Sequence, residues 1–218
     1  MKTLREISEK NNSNKLQHGY ELFYEEKLGY LRQEPIKLLE IGIWKGDSLR
    51  MWRDYFKKGQ VYGIDIVPES VKSAKGSRIT AEVVDQNDRE QLIAFAKKHG
   101  PFDIIVDDGS HVMEHMQTSF GCLFPYLKSG GHYMIEDIQT SYDYQDRIPT
   151  RQLLDSYGVS RDFYNTTYVM VKNAVEFGEY KSQYITDAEL KYINKNVKST
   201  ELDVRNDFFS VTSNIVKK

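Results

Sequence analysis

The 218-residue sequence lacks several features of secreted and membrane proteins. It has one cysteine, Cys122, and therefore no intramolecular disulfide, which suits a reducing compartment. It has no run of about 18 consecutive apolar residues, and residues 1–14 are polar, without the apolar core of a signal peptide. We therefore expect a cytoplasmic protein that binds no membrane and whose first residues are loosely ordered.

Charge of either sign is not in excess. The chain has 30 basic and 32 acidic residues, a formal net charge of −2. Nucleic acid is therefore not an expected partner, because proteins that bind nucleic acid usually carry a basic surface. Cys122 stands in an apolar segment without a neighbouring cation, which is typical of a small buried side chain and not of a nucleophile.

Apolar runs alternate with helical patterns over most of the chain. The runs predict strands at residues 36–43, 61–66, 79–84, 104–106 and 132–135, with two more strands within 202–216. Strands that are apolar on both faces and are separated by helices predict an α/β fold with a doubly wound, mainly parallel sheet. We predict one domain over residues 1–218, because no repeat or low-complexity linker divides the sequence.

The most informative stretch is residues 103–111. A buried strand ends there in Asp107 and Asp108, and Gly109, Ser110 and His111 follow. In an open α/β sheet, ligands bind beyond the carboxyl ends of the strands. Chemistry is therefore expected at this edge, and the rest of the site should come from the neighbouring strand ends.

Three other strand ends have the residue types expected around an adenosyl group. Glycines after the first strand allow a ligand to approach the backbone, and an acid after the second is placed to hold a ribose diol. Side-chain oxygens after the third can accept from an adenine amino group. The candidates are Glu40, Gly42 and Gly46, then Asp65, then Asp85 with Gln86. The absence of both G-x-G-x-x-G and a P-loop favours S-adenosylmethionine over NAD.

Two consecutive strands end in paired acids, Asp107 with Asp108 and Glu136 with Asp137. Carboxylates this close repel one another unless some are protonated or a cation lies among them. Oxygen ligands suit Mg²⁺ or a similar hard cation. Asp107 has the alternative of facing the cofactor, which leaves Asp108, Glu136 and Asp137 as the predicted metal trio. The competing interpretation is two acidic strand ends in solvent.

His111 follows Asp108 by three residues and is the candidate general base. A metal lowers the pKa of an acceptor hydroxyl, and a nearby imidazole can take its proton. The sulfonium methyl group must then lie in line with that oxygen. The alternative is an exposed loop histidine.

With these residues identified, the sequence resembles the Mg²⁺-dependent class I S-adenosylmethionine methyltransferases of the macrocin and mycinamicin sugar O-methyltransferase type. The matching segments are residues 15–20 with 24–25, 40–42 with Gly46 and Ser48, 62–65, 85–86, 107–111 and 136–142. Two positions depart from the family pattern. Trp44 replaces the middle glycine of the general methyltransferase loop, and Asn14 replaces an acid before the N-terminal lysine.

The resemblance implies a seven-stranded sheet with an antiparallel last strand. It implies a metal on Asp108, Glu136 and Asp137, with His111 as the base, so that His111 and Asp108 are the catalytic residues. It also implies that residues 1–35 cover the cofactor. The remaining residues assigned to the cofactor site are Tyr20, Ser48 and Asp107, beside the strand-end candidates already named.

The predicted function is S-adenosylmethionine- and Mg²⁺-dependent O-methylation of a sugar-containing small molecule or polysaccharide precursor. Residues 138–200, rich in tyrosine, are the predicted lid and acceptor-binding insertion, and a homo-oligomer is one possible assembly. Two alternatives stay open at this point. An NAD-dependent oxidoreductase would need the pyrophosphate loop that the sequence lacks. A non-catalytic adenosyl-binding module would not need acids at both strand ends.

Overall fold

The described part of the chain forms one seven-stranded sheet; a computed structural model describes residues 2–141, 166–205, 207 and 210–218. The strands are β1 (Lys37–Ile41), β2 (Gln60–Asp65), β3 (Ile79–Val83), β4 (Phe102–Asp107), β5 (Leu127–Ile135), β6 (Val197–Arg205) and β7 (Ser210–Lys217). They pair in the order β3-β2-β1-β4-β5-β7-β6, and β7 is antiparallel to both neighbours. The predicted doubly wound, mainly parallel sheet with an antiparallel last strand is confirmed.

Helices cover both faces of the sheet. They are α1 (Leu4–Asn11), α2 (Tyr20–Leu28), α3 (Asp47–Tyr55), α4 (Pro68–Ser73), α5 (Arg89–His99), α6 (Met113–Leu123), α7 (Thr167–Phe177) and α8 (Asp187–Asn196). Short 3₁₀ turns lie at Asn14–Leu16, Gly29–Leu31, Phe124–Tyr126 and Ile138–Ser141. Within the described ranges, every helix is too short or too polar for a bilayer span.

Alternate residues of the central strands enter two separate cores. Leu38 and Ile104 pack with the side chains of α1 to α3, whereas Leu39 and Ile105 pack with those of α5 to α8. All four side chains are fully buried. This arrangement explains the unbroken apolar runs, because a strand covered on both faces needs no polar alternation. It also leaves the carboxyl ends of the strands as the place where polar side chains meet.

The first residues of the chain are ordered, so the expectation of a loose start is wrong. Thr3 caps α1 and forms a reciprocal capping box with Glu6. Leu4 and Ile7, three residues apart, are 0% and 3% exposed and belong to the core that α3 shares. A short helix is marginal alone and gains its stability from docking an apolar face. Residues 1–14 are mostly polar, and the expectation of a loose start gave no weight to the two apolar residues through which α1 docks.

The segment predicted to be a lid, residues 138–200, is described in part. Its residues from 166 onward form α7, α8 and the start of β6, and Met170, Val171, Ile185 and Ile193 join the main core. The tyrosines at 142, 144, 157 and 164 lie outside the described residues. An acceptor-binding role for this segment therefore stays a prediction.

Candidate active site

A cavity of about 480 Å³ opens at the carboxyl ends of β1 to β4. It lies at the edge of the sheet where the sequence predicts an adenosyl group. The predicted site residues that line it are Gly42, Ser48, Asp65, Asp85, Gln86, Asp108 and His111. Those outside its lining are Tyr20, Glu40, Gly46, Asp107, Glu136 and Asp137. The structure thus divides the predicted residues between this cavity and a more buried group beside it.

Gly42 allows two backbone segments to meet beside the cavity. Its φ angle is +90°, and a Cβ atom built on it would lie 2.1 Å from the carbonyl oxygen of Asp108. A side chain here is therefore excluded both by the left-handed backbone and by the loop after β4. The sequence suggested that this glycine admits a ligand; the structure shows that it also admits the neighbouring strand end.

The carboxylate of Asp65 fixes the shape of two loops around the cavity. One oxygen accepts from the backbone N–H groups of Ile43 (2.8 Å) and Trp44 (3.1 Å). The other accepts from the backbone N–H of Val67 at 2.8 Å. Asp65 lines the cavity and is held in place before any ligand binds, with acceptor capacity left for one further donor.

The side-chain amide of Gln86 joins the end of β3 to the loop after β4. Its Oε1 accepts from the backbone N–H of Ser110 at 2.9 Å, and its Nε2 donates to Asp107 at 2.7 Å. Asp85 accepts from the backbone N–H of Asn87 at 2.8 Å. Gln86 therefore positions the loop that carries His111, in addition to lining the cavity.

Asp107 is fully buried and points to the side of the sheet covered by α6. Its carboxylate accepts from Ser119 Oγ at 2.6 Å and from Gln86 Nε2 at 2.7 Å. Burial raises the pKa of Asp107 to about 6. Asp107 therefore supports the loop after β4 from the side of α6, whereas the next residue, Asp108, lines the cavity.

Glu40, Asp108, Glu136 and Asp137 form what we call the acid cluster. Lys15 lies within it, only 1% exposed, with Nζ 2.5 Å from Asp108 Oδ2, 2.7 Å from Glu136 Oε1 and 3.1 Å from Glu40 Oε1. Burial acts to lower the pKa of Lys15, but these carboxylates outweigh it and raise that pKa well above its ordinary value. Lys15 belongs to the segment that the resemblance expects to cover the cofactor; its contact with the acids was not predicted, because a single lysine in a polar stretch carries no local signal.

Two tyrosines of α2 also contact the acid cluster. The Tyr24 hydroxyl donates to Glu136. The Tyr20 hydroxyl donates to Asp137 Oδ1 at 2.7 Å and accepts from the Asp137 backbone N–H at 3.0 Å. Tyr20, predicted to line the cofactor site, therefore lies against the acids, and Asn14 is the N-terminal residue that lines the cavity.

His111 and Asp137 face each other at the border between the cavity and the acid cluster. His111 Nε2 is 3.5 Å from Asp137 Oδ2 and 3.9 Å from Asp108 Oδ1. Both residues have left-handed backbones, with φ of 58° at His111 and 52° at Asp137. Such conformations are uncommon outside glycine and collect at functional sites. Burial would raise the pKa of Asp137, but His111 and His18 outweigh it and keep that pKa below its usual value.

The donor set fits a hard divalent cation. Ligand atoms of Asp108, His111 and Asp137 lie within 4.8 Å of one another, as do those of Glu40, Asp108 and Glu136. Of the predicted metal trio, Asp108 thus belongs to both groups, while Asp137 and Glu136 fall in different ones. Burial and Asp108 raise the pKa of Glu136 well above its ordinary value despite Lys15. One ammonium therefore does not balance these acids, and a divalent cation on carboxylate oxygens would.

Comparison with known proteins agrees with this geometry. Residues 39–138 match a family model described as a methyltransferase domain. Demethylmacrocin O-methyltransferase of Streptomyces fradiae is 46% identical over 132 residues, covering 57% of this chain and 33% of that protein. Mycinamicin VI 2''-O-methyltransferase of Micromonospora griseorubida is 42% identical over 132 residues, with the same coverage. The chain spans about a third of the length of these relatives.

A solved structure extends the match to nearly the whole chain. MycE, a methyltransferase from the mycinamycin biosynthetic pathway solved in complex with Mg and SAH, aligns with a TM-score of 0.77 at 31% identity. The alignment covers 99% of this chain and 55% of that chain. In sequence, domain match and fold, the chain is therefore similar to the macrocin and mycinamicin sugar O-methyltransferases, over a third to about half of their length.

Proposed function

We propose that this chain carries the methyl-transferring part of an S-adenosylmethionine- and Mg²⁺-dependent O-methyltransferase. One observation carries the proposal: Asp108, His111 and Asp137 converge within 4.8 Å at the border of the cavity. A methyl donor in the cavity, a metal on the two carboxylates and the imidazole of His111 would then share one acceptor hydroxyl. Neither an oxidoreductase nor a binding module needs this combination.

The cavity side would hold the cofactor. Asp65 is placed to accept from the ribose hydroxyls, since its carboxylate is already fixed by three backbone N–H groups. Gly42 and Ser48 line the same space, with Asp85 and Gln86 at the end expected for adenine. For Tyr20, Glu40, Gly46 and Asp107, which lie outside the lining, we propose a supporting role in the same site.

The acid cluster would bind the metal and the acceptor oxygen. Asp108 and Asp137 would hold Mg²⁺ together with Glu136, the third predicted ligand, through the Glu136 oxygen opposite the one that Lys15 and Tyr24 contact. Mg²⁺ supplies positive charge that lowers the pKa of the acceptor hydroxyl. His111 is the proposed base. Its Nε2 faces Asp137 and Asp108 at 3.5 and 3.9 Å, so both carboxylates would stabilise the imidazolium that forms.

The reaction balances without another reagent. The acceptor oxygen forms a bond to the sulfonium methyl carbon, while the bond between carbon and sulfur breaks. The proton of the hydroxyl passes to His111, and S-adenosylhomocysteine leaves. Because displacement requires the oxygen, carbon and sulfur in line, the cavity and the acid cluster must present their ligands to each other at near-attack distance.

The proposed acceptor is a hydroxyl on a sugar. The support is the activity for which the relatives are named: they methylate demethylmacrocin, mycinamicin VI and glycosylated tetracenomycin precursors. A polysaccharide precursor stays within this class. A cytoplasmic location, the absence of a nucleic-acid partner and a homo-oligomer remain predictions from composition and resemblance.

Metal removal tests the proposal most directly. Methyl transfer from S-adenosylmethionine to a panel of demethylated macrolide glycosides and rhamnose-containing glycans should stop in EDTA and return with Mg²⁺. Asp137→Ala should lose Mn²⁺ binding, measured by electron paramagnetic resonance, and keep S-adenosylhomocysteine binding, measured by calorimetry. Asp187→Ala, which changes an exposed aspartate at the start of α8, is the matched control. Undiminished transfer in EDTA, or NAD binding without S-adenosylhomocysteine binding, contradicts the proposal.

A further inference from the structure

Lys15 makes contacts of the kind that a bound cation makes. Its ammonium lies 2.5 to 3.1 Å from one oxygen each of Asp108, Glu136 and Glu40. These are the same three carboxylates whose oxygens lie within 4.8 Å of one another as a possible metal group. Lys15 and two of the three are at most 1% exposed, so water contributes little to their solvation.

Glu40 shows that the ammonium does not fully satisfy this pocket. Ser48 donates to Glu40 Oε2 at 2.7 Å. Glu40 Oε1 is buried without a hydrogen-bond partner among the described residues, since Lys15 contacts it at 3.1 Å outside hydrogen-bond geometry. A tetrahedral ammonium directs only three donors, whereas a metal ion takes oxygens from any direction. A second cation could therefore bind Glu40 Oε1.

The other metal group also includes Asp108, whose Oδ2 is the oxygen nearest Lys15 and whose Oδ1 is the oxygen nearest His111. It consists of Asp108, His111 and Asp137, and two of these residues belong to the border of the cavity. Two-metal sites place their ions about 3.5 to 4 Å apart and often share a bridging carboxylate. Asp108, common to both groups, is in the position of such a bridge. The arrangement is therefore that of a two-cation site in which one position holds a lysine.

We propose that the Lys15 ammonium takes the place of a second divalent cation and thereby limits the acid cluster to one divalent ion, on the side of His111 and Asp137. This inference rests on the proposed function, because it assumes that the acid cluster binds a metal. Lys15 is then a positioning residue. It keeps the charge beside Glu40 fixed, and the exchangeable ion binds only where the cavity can deliver an acceptor.

The test counts bound Mn²⁺ per chain by calorimetry and electron paramagnetic resonance. The wild-type protein should bind one Mn²⁺. Lys15→Met, which removes the charge and keeps most of the volume, should bind two, with a spectrum broadened by coupling between them. Lys10→Met, at an exposed lysine that pairs with Asp54, is the control and should bind one. In Lys15→Met, Glu40→Gln should return the count to one.

Each other outcome decides a different question. One Mn²⁺ in both wild type and Lys15→Met, or two in the wild type, overturns the role of Lys15 and leaves the proposed function standing. No Mn²⁺ in the wild type contradicts the metal site itself. Lys15→Gln keeps a donor to Asp108 and serves as the second variant. If neither variant folds in excess Mn²⁺, the inference also fails, because it requires that a divalent ion can replace the ammonium.

Discussion

The cavity and the acid cluster meet at the same sheet edge and are built differently. Around the cavity, Asp65 is tied to backbone N–H groups of its own loop and of the loop after β1, and Asp85 to one of its own loop. In the acid cluster, Glu136 and Asp108 depend on the side chain of Lys15, from a segment more than 90 residues away in sequence. The first region is held mainly by backbone N–H groups of the strand-end loops, and the second by charged side chains that pair with a distant segment.

This difference between the cavity and the acid cluster predicts where substitutions should cause the largest losses. When Asp65 is replaced, the three backbone N–H groups that it holds can bond instead to water in the open cavity. Buried carboxylates that share one ammonium cannot change singly, because an unpaired buried charge costs far more than an exposed one. We therefore expect graded losses at the cavity and near-complete losses at the acid cluster and its border.

The largest effect is expected at His111, at the border between the cavity and the acid cluster. His111→Ala should lower kcat about 10²- to 10⁴-fold, because removing a positioned base typically costs that much. Binding of Mn²⁺ and of S-adenosylhomocysteine should stay close to wild type. The measurement is steady-state methyl transfer under conditions in which chemistry limits the rate, with His99→Ala on α5 as the control.

Two results with His111→Ala would change the role assigned to His111. A kcat near the wild-type value would remove the base assignment. Loss of Mn²⁺ binding together with kcat would make His111 a metal ligand, which its distances to Asp108 and Asp137 allow.

An intermediate effect is expected at the cavity. Asp65→Ala should weaken S-adenosylhomocysteine binding about 10- to 100-fold, since a hydrogen bond to a charged group contributes about 1.5–3 kcal/mol. Asp65→Asn keeps an acceptor for the loop N–H groups and should lose less. Calorimetry of both variants separates ligand contact from loop support. Equal affinity in Asp65→Ala and wild type would show that Asp65 serves the loop alone.

The smallest expected effect concerns Asp107, which lies beneath the junction of the two regions. Burial raises the pKa of Asp107 from its ordinary value of 3.8 to about 6. The folded protein therefore binds this proton more tightly than the unfolded chain, so the stabilising contribution is present at low pH and is lost as pH rises toward and through 6. Between pH 5 and 7 the loss amounts to about 1 kcal/mol.

Asp107→Asn should remove that pH dependence. The measurement is the free energy of unfolding from urea titrations at pH 5, 6 and 7, taken as the difference between wild type and variant. The difference should change across this range by about 1 kcal/mol in the direction that favours the wild type at pH 5. A constant difference would mean that Asp107 titrates below the range and that burial does not perturb it as the structure indicates.

Local patterns allowed much of the fold and of the site to be predicted. The apolar runs of β1 and β4 and the acids that follow them identified the sheet and its functional edge, because burial on both faces and strand ends are local properties of sequence. The role of α1 was not predictable in this way. Its two buried residues, Leu4 and Ile7, acquire meaning only when α3 provides the surface on which they dock.

The strand ends and the acids that follow them could be predicted from sequence alone, since strand, loop and acid follow one another within a few residues. Only the tertiary structure decided that Asp107 and Asp108 serve opposite sides of the sheet, and that Glu136 and Asp137 fall in different metal groups. It alone placed Lys15 among the acids. The physical reason is that buried charges are matched through space, by whichever segment the fold brings within a few ångströms.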